Sequence, residues 1–204
     1  MTTDKKNSAN DLVVVGSSAG GIGALSTLVG TLHKDFPAAV VLAQHLDPQR
    51  PSHLGSILGR RSTLPIVVVS EEAPTPLANG KIFVVPSNRH VRIIDGQVHL
   101  EADHGDRPKP SIDMLLSSAA QSYGERLVAV ILTGSGSDGA VGAVDVKNAG
   151  GVVIIQNPRT APYPSMPLSL PPTAGGPRGA SRRLLRQRRG RLPVQPPRRR
   201  PAGP

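Results

Sequence analysis

The stretch LVVVGSSAGGIG, residues 12–23, places a run of apolar, mostly β-branched residues directly before a turn of glycine, serine and alanine. The apolar run predicts a buried strand. After the turn, apolar residues from Ile22 to Val29 recur at helical spacing as far as Gly30, which predicts a helix. A strand, a tight glycine-rich turn and a helix in this order are typical of an α/β fold.

The same alternation of apolar runs and helical patterns continues along the chain. Further strands are predicted at 39–44, 66–70, 81–86, 127–133 and 151–156. Further helices are predicted at 53–58, from the cap Ser111 to Gly124, and from the glycine-rich turn after 127–133 to Ala149. Residues 91–100 predict a hairpin with a type I′ turn at Asp95-Gly96. Continuously apolar strands that alternate with helices are buried on both faces. We therefore expect a mostly parallel, doubly wound sheet flanked by helices, with an antiparallel hairpin.

Composition divides the 204 residues into three parts. We expect a disordered N-terminus at 1–10, one catalytic domain at 11–170, and a disordered tail at 171–204 that is rich in arginine, proline and glycine. The tail has too few apolar residues to offset the entropy of ordering it. No run approaches the roughly 18 apolar residues of a membrane span, and no signal peptide is evident, so a cytoplasmic location is expected.

Charge and cysteine content exclude several classes of function. Up to residue 170 the 14 lysines and arginines balance all 14 acidic residues, and the other ten arginines lie in the tail. The domain itself is therefore neutral, and nothing in its charge predicts a surface that binds nucleic acid. Because the chain has no cysteine, disulfide frameworks and thiolate metal sites are excluded.

The first turn has three candidate uses, which are to hold a nucleotide, to cradle a phosphate or to present a nucleophile. The dinucleotide fingerprint G-x-G-x-x-G fails because serines follow Gly16, and the phosphate loop lacks its lysine. Residues 16–20 do match G-x-S-x-G between a strand and a helix. Ser18 would then be exposed on a sharp turn as a nucleophile, and Ser17 could help to position it. An ordinary structural turn has the same residues, so this alternative stays open.

Two further turns could supply the partners of such a serine. His45 ends the second strand and Asp138 lies in the turn after 127–133, and the carboxyl ends of parallel strands share one edge of a sheet. A Ser18–His45–Asp138 triad is therefore predicted. The alternatives are that His45 is only a polar residue at a strand end and that Asp138, just before Ala140, caps the helix that begins there. Asp47 beside His45 offers too few ligands for a metal, so neither a metal nor another cofactor is expected.

Six ordered segments carry a resemblance to a known family. These segments are VVVGSSAGG, VVLAQHL, KIFVVPSNRH, RPKPSIDMLL, VAVILTGSGSDGAVG and QNPRTAPYPSMP. Through them the chain over 11–170 resembles the catalytic domain of CheB-type chemotaxis protein-glutamate methylesterases. The resemblance implies hydrolysis of glutamate γ-methyl esters on chemoreceptors with release of methanol, and deamidation of receptor glutamines. It implies Ser18 as nucleophile, His45 as general base and Asp138 as orienting acid. The N–H groups of Ala19, Gly20 and Gly136 are the candidates for binding the oxyanion.

The sequence departs from the family pattern at both ends. The first strand begins near residue 12, which leaves no room for an N-terminal receiver domain, so a separate receiver or methyltransferase protein is an expected partner. Membranes would be contacted only through receptors. After SMP the expected helix, strand and final helix are replaced by the tail, as a frameshift in a GC-rich gene would produce. We expect this loss to make the chain prone to aggregation.

Two alternatives remain at this point. A catalytically impaired protein of the same fold would bind receptors without hydrolysing them. The arginine tail alone would give weak, salt-sensitive contacts to nucleic acid, but no aromatic residue is interleaved with its arginines, so specific recognition is not expected.

Overall fold

A computed structural model describes residues 9–70, 73–101 and 108–170. The predictions for residues 1–8 and for the tail at 171–204 lie outside these residues. Ala9 is already buried, and its N–H donates to the carbonyl of Leu77.

The described residues form nine strands and five α-helices, with a short 3-10 helix at Gly124–Arg126. The strands are β1 Leu12–Ser17, β2 Ala39–Gln44, β3 Ile66–Val68, β4 Thr75–Pro76, β5 Ile82–Val84, β6 His90–Ile94, β7 Gln97–Glu101, β8 Leu127–Ile131 and β9 Val152–Ile155. The helices are α1 Gly21–Gly30, α2 Leu54–Gly59, α3 Ile112–Tyr123, α4 Ala140–Asn148 and α5 Ser165–Ser169.

Six strands form a parallel central sheet in the order β3-β5-β2-β1-β8-β9. One face of this sheet packs on α1 and α2 through buried leucines such as Leu25 and Leu58. The other face packs on α3 and α4 through residues such as Leu116 and Val146. Helices on both faces explain why β1, β2 and β8 are apolar along nearly their whole length. The expected doubly wound α/β fold is confirmed.

The predicted hairpin is also confirmed, as a separate unit. Strands β6 and β7 pair antiparallel around Asp95 and Gly96, which both have the positive φ of a type I′ turn (49° and 73°). With β4 they form a three-stranded sheet of their own. This sheet packs against α3, where the hydroxyl of Ser118 accepts from the N–H of Ile93.

Two short elements were not predicted from the sequence. Strand β4 has only two residues, which is too short for an alternation to register. Helix α5 contains Pro167, and proline usually argues against a helix. Here it lies in the first turn, where a backbone N–H has no acceptor within the helix.

The strand order positions one edge of the central sheet for function. Strands β2, β5 and β3 lie on one side of β1, and strands β8 and β9 lie on its other side, so the direction of strand addition reverses between β1 and β8. Crevices for ligands form outside the carboxyl ends of strands at such a reversal. The turns that carry Ser18, His45 and Asp138 all leave the sheet at this edge. None of the helices in the described ranges is long and apolar enough to cross a membrane.

Candidate active site

Ser18 lies in a sharp turn between β1 and α1. Its N–H donates to the carbonyl of Thr133, two residues after β8 (3.0 Å), and its own carbonyl accepts from the N–H of Gly21 (2.8 Å). Gly20 has a φ of 73°, a conformation that strongly favours glycine. The turn therefore holds a half-buried serine directly before the first turn of α1.

The imidazole of His45 is oriented by two acceptors. Its Nε2 lies 2.9 Å from Oδ2 of Asp138 and 3.1 Å from the carbonyl oxygen of Pro110. Because both neighbours are oxygen acceptors, Nε2 carries the proton of the neutral ring. Nδ1 is then the basic nitrogen, and within the described ranges it has no hydrogen-bond partner.

Asp138 is held by three donors. Besides His45, the N–H of Ile112 donates to Oδ2 (2.8 Å) and the N–H of Asp113 donates to Oδ1 (2.9 Å). Burial by itself raises the pKa of the Asp138 carboxyl, but the hydrogen bonds from His45 and from the two backbone groups outweigh it. The net pKa lies below its ordinary value, so Asp138 is ionised at neutral pH.

The alternative role of Asp138, as the cap of the helix that begins at Ala140, is wrong. Asp138 caps the N-terminus of α3, together with the predicted cap Ser111, whose hydroxyl accepts from Met114 N–H (3.3 Å). The N-terminus of α4 is capped instead by Asp113, whose Oδ1 accepts from the N–H groups of Gly139 (2.9 Å) and Gly142 (2.8 Å). Asp113 in the first turn of α3 thus caps α4, and Asp138 in the turn before α4 caps α3.

Asp113 was missed by sequence reasoning, and its electrostatics are opposite to those of Asp138. Burial raises the pKa of Asp113. The N–H groups of Gly142 and Gly139 lower it in part, while the negative charge of Asp138 raises it further. The same environment therefore opposes ionisation of Asp113 and favours ionisation of Asp138.

A buried pair lies beneath the turns: Ser17, which the sequence offered as a residue that could help to position the turn, and Gln44, which sequence reasoning missed. Ser17 and Gln44 are both buried, and Ser17 Oγ donates to Gln44 Oε1 (2.7 Å). The amide nitrogen of Gln44 donates to the carbonyls of Ser18 and His45, at 2.8 Å each. The only sequence signal was a polar residue at the end of the buried strand AVVLAQ.

His45 stands between two clefts. One, of about 510 Å³, is lined by residues of the turns after β1 and β2, including Ser18, Ala19 and Gly20. The other, of about 610 Å³, is lined by Asp138, Gly136 and residues of α3. Within the described part of the chain, the N–H groups of Ala19 and Gly20 have no acceptor, and they lie beside Ser18 at the start of α1. Gly136 is exposed in the other cleft, so the predicted oxyanion candidates are not brought together.

The arrangement is an acid–base pair next to a serine. His45 and Asp138 are joined by a hydrogen bond, with side-chain exposures of 16% and 9%. Ser18 lines the same cleft as His45. Within the described ranges the hydrogen bonds of Ser18 involve only its backbone, and catalytic hydrogen bonds are often loose before substrate binds. Such a group of side chains can perform acyl transfer. The described ranges contain no group of three or more side chains that could hold a metal ion.

Comparison with known proteins gives a consistent result. A family model described as CheB methylesterase matches residues 13–175. The chain is 34% identical over 162 residues to a relative from Leptospira interrogans, a match that covers 78% of this chain and 82% of the relative. It is also 34% identical over 175 residues to the protein-glutamate methylesterase/protein-glutamine glutaminase of Thermotoga maritima, covering 83% of this chain and 50% of that protein.

A solved structure agrees with the sequence matches. The crystal structure of the Thermotoga maritima CheB methylesterase catalytic domain superimposes with a TM-score of 0.71 and 33% identity, over 78% of this chain and 86% of that chain. The central parallel sheet with helices on both faces is therefore the fold of that catalytic domain. The match to the longer Thermotoga protein spans only half of its length.

Proposed function

Because the chain belongs to the CheB methylesterase family, we propose that it is a serine hydrolase that removes methyl esters from glutamate side chains of chemoreceptors. Deamidation of receptor glutamines is the related reaction that we assign to the same site. The observation that carries the proposal is the 2.9 Å bond between His45 Nε2 and Asp138, which leaves Nδ1 as the basic nitrogen. That nitrogen belongs to a ring that lines the same cleft as Ser18.

The proposed reaction is acyl transfer in two halves. His45 Nδ1 takes the proton of Ser18 Oγ, and the oxygen attacks the ester carbonyl carbon. The N–H groups of Ala19 and Gly20, which have no acceptor among the described residues, stabilise the oxyanion with help from the positive end of α1. The protonated ring then gives its proton to the leaving methoxide, which departs as methanol.

The second half regenerates the enzyme. His45 takes a proton from water, and the hydroxide attacks the acyl-serine. Ser18 then leaves with the proton held on His45, and the product is a glutamate carboxylate. Asp138 holds Nε2–H throughout and stabilises the imidazolium that forms in each half. With a glutamine substrate the leaving group is ammonia.

The proposed catalytic domain is the segment 11–170, which contains all three residues. Its partners are the cytoplasmic helices of methyl-accepting chemoreceptors, so contact with a membrane is indirect. A separate receiver or methyltransferase protein is a further proposed partner. The chemistry needs no cofactor because serine, imidazole and backbone N–H groups supply every step.

Release of methanol from methylated chemoreceptor membranes tests the proposal. We expect Ser18→Ala to lower the rate by a factor of roughly 10³ or more, since removing a nucleophile leaves only binding and electrostatic terms. Ser56→Ala, which changes an exposed serine on α2, is the matched control and should retain full activity. A chain that is folded by circular dichroism but releases no methanol would contradict the proposal and favour a receptor-binding protein. Equal release by Ser18→Ala would refute the assigned nucleophile.

A further inference from the structure

Ser17 and Gln44 take no part in the proposed reaction, yet both are buried at the site. Ser17 has no exposed surface and Gln44 is 3% exposed. A buried side-chain amide costs free energy unless its donors and its acceptor are hydrogen-bonded. Gln44 satisfies both of its N–H groups and its oxygen, which indicates an ordered network rather than incidental filling of space.

The orientation of the Gln44 amide follows from its surroundings. Two carbonyl oxygens, those of Ser18 and His45, face one end of the amide at 2.8 Å. Carbonyls only accept, so the NH₂ group must be at that end. Oε1 then faces Ser17, and the Ser17 hydroxyl must donate to it (2.7 Å).

This network connects the two turns of the proposed site after their strands have ended. Ser17 and Gln44 are the last paired residues of β1 and β2, and beyond them the ladder contributes only the bond from His45 N–H to the Ser17 carbonyl (3.0 Å). The Gln44 amide bonds the backbone of the nucleophile with one N–H and the backbone of the base with the other. A shift of either turn would break one of these bonds.

Gly21 provides the space for this network. A Cβ at position 21 would collide with Gln44 Oε1 and would lie 2.8 Å from both Cβ and Oγ of Ser17. Gly20 is required by its positive φ, whereas Gly21 is required because the Ser17–Gln44 bond occupies the place of its side chain. The double glycine after Ala19 therefore has two separate physical causes.

We propose that Gln44, oriented by Ser17, is a positioning residue that sets the distance and angle between Ser18 and the His45 ring. Both side chains are almost fully buried and bond to the turns, so their proposed role is exerted through Ser18 and His45. The inference rests on the proposed esterase function, because it assigns a role within the same site. Displacements of about 1 Å at a reacting centre can lower a rate by roughly 10².

The kinetic test uses the full chain and a synthetic peptide that carries a glutamate γ-methyl ester. The variants are Ser17→Ala, Gln44→Met and Gln44→Glu. We expect kcat to fall about tenfold for Ser17→Ala and about a hundredfold for both Gln44 variants, with KM changed less than about threefold. Gln44→Glu is informative because it has the shape of glutamine but places a carboxylate oxygen against two carbonyls.

A matched control separates positioning from stability. Ser118→Ala removes another buried serine, whose hydroxyl accepts from Ile93 N–H and donates to the Leu115 carbonyl (3.0 Å each). It should lower stability to a similar extent as Ser17→Ala and leave kcat unchanged. An unchanged kcat in Gln44→Met with a cooperative melt would overturn the inference. If the Gln44 variants fail to fold, an unchanged kcat in Ser17→Ala overturns it equally.

Amide hydrogen exchange gives a second readout that does not depend on activity. The N–H groups of His45 and Gly21 donate to the carbonyls of Ser17 and Ser18, so both bonds depend on the positions of the two turns. We expect both amides to exchange at least about tenfold faster in Ser17→Ala than in Ser118→Ala. Equal exchange would overturn the inference even if the chain has no esterase activity. An inactive wild-type chain, in contrast, would count against the proposed function alone.

Discussion

Substitution of Gly21 by alanine tests the packing of the nucleophile turn directly. Gly21 and Gly23 are both in the first turn of α1, but their surroundings differ. A Cβ at Gly21 would collide with Gln44 Oε1, and Ser17 would be 2.8 Å away. A Cβ at Gly23 would meet no atom within 4 Å. The pair therefore isolates a steric effect from the helix preference of alanine.

The expected magnitudes follow from these contacts. Alanine is favoured over glycine in a helix by about 0.5–1 kcal/mol, so Gly23→Ala should raise the free energy of unfolding by up to that amount. Gly21→Ala forces an overpacked site, which costs about 1–3 kcal/mol. It also separates Ser17 from Gln44, and a buried polar group left without a partner costs about 1–3 kcal/mol more. We expect Gly21→Ala to be about 1–5 kcal/mol less stable than the wild type after the gain in helix preference.

Urea denaturation followed by circular dichroism measures both variants. With an m-value of about 2 kcal/mol/M, each kcal/mol shifts the midpoint by about 0.5 M. The same Gly21→Ala protein should show a lower kcat, because its Ser17–Gln44 bond is broken. Equal midpoints for Gly21→Ala and Gly23→Ala would refute the steric reasoning and remove the explanation for the second glycine.

Two further predictions concern the paired aspartates. Asp138→Asn should lower kcat by roughly 10²–10⁴, because a neutral amide cannot stabilise the imidazolium of His45. Steady-state kinetics on the methyl-ester peptide measure this change. A loss of kcat under tenfold would contradict the role of Asp138. Asp113→Asn keeps an acceptor for the N–H groups of Gly139 and Gly142 but removes the unfavourable ionisation of Asp113. When folding raises the pKa of a carboxyl, the folded protein loses stability as the pH rises from the carboxyl's unfolded pKa, near 4, through its folded pKa. Asp113→Asn should therefore match the wild type in stability below about pH 4 and exceed it at pH 7. Urea midpoints at the two pH values measure this difference. If Asp113→Asn were less stable than the wild type at pH 7, the inferred effect of Asp113 ionisation would be wrong.

The main elements of the fold were predictable because each has a local signal. The strands β1, β2 and β8 are continuous apolar runs, and α3 begins at a serine cap and ends before a glycine. The hairpin was predictable because Asp95-Gly96 favours a type I′ turn. The short elements β4 and α5 had no such signal, since two residues give no alternation and a proline argues against a helix.

The candidate site was predictable only in part. Ser18, His45 and Asp138 follow three strands of a parallel sheet, so the topology alone brings them to one edge. The partners of Asp138 were not predictable, because which helix it caps depends on how the N-termini of α3 and α4 meet. The role of Gln44 was not predictable either, since it depends on the carbonyls of two turns that are far apart in the chain.

The sequence by itself determined the α/β class, the parallel sheet and the identity of the three candidate catalytic residues, because these depend on periodicity and on turn residues that act within a few positions. The tertiary structure alone decided which nitrogen of His45 carries the proton, how the two aspartates divide their capping roles and why Gly21 has no side chain. Each of these depends on contacts between segments distant in the sequence, such as His45 with Pro110 and Asp138. Local patterns carry no information about such contacts, since orientation and proximity are properties of the packed chain.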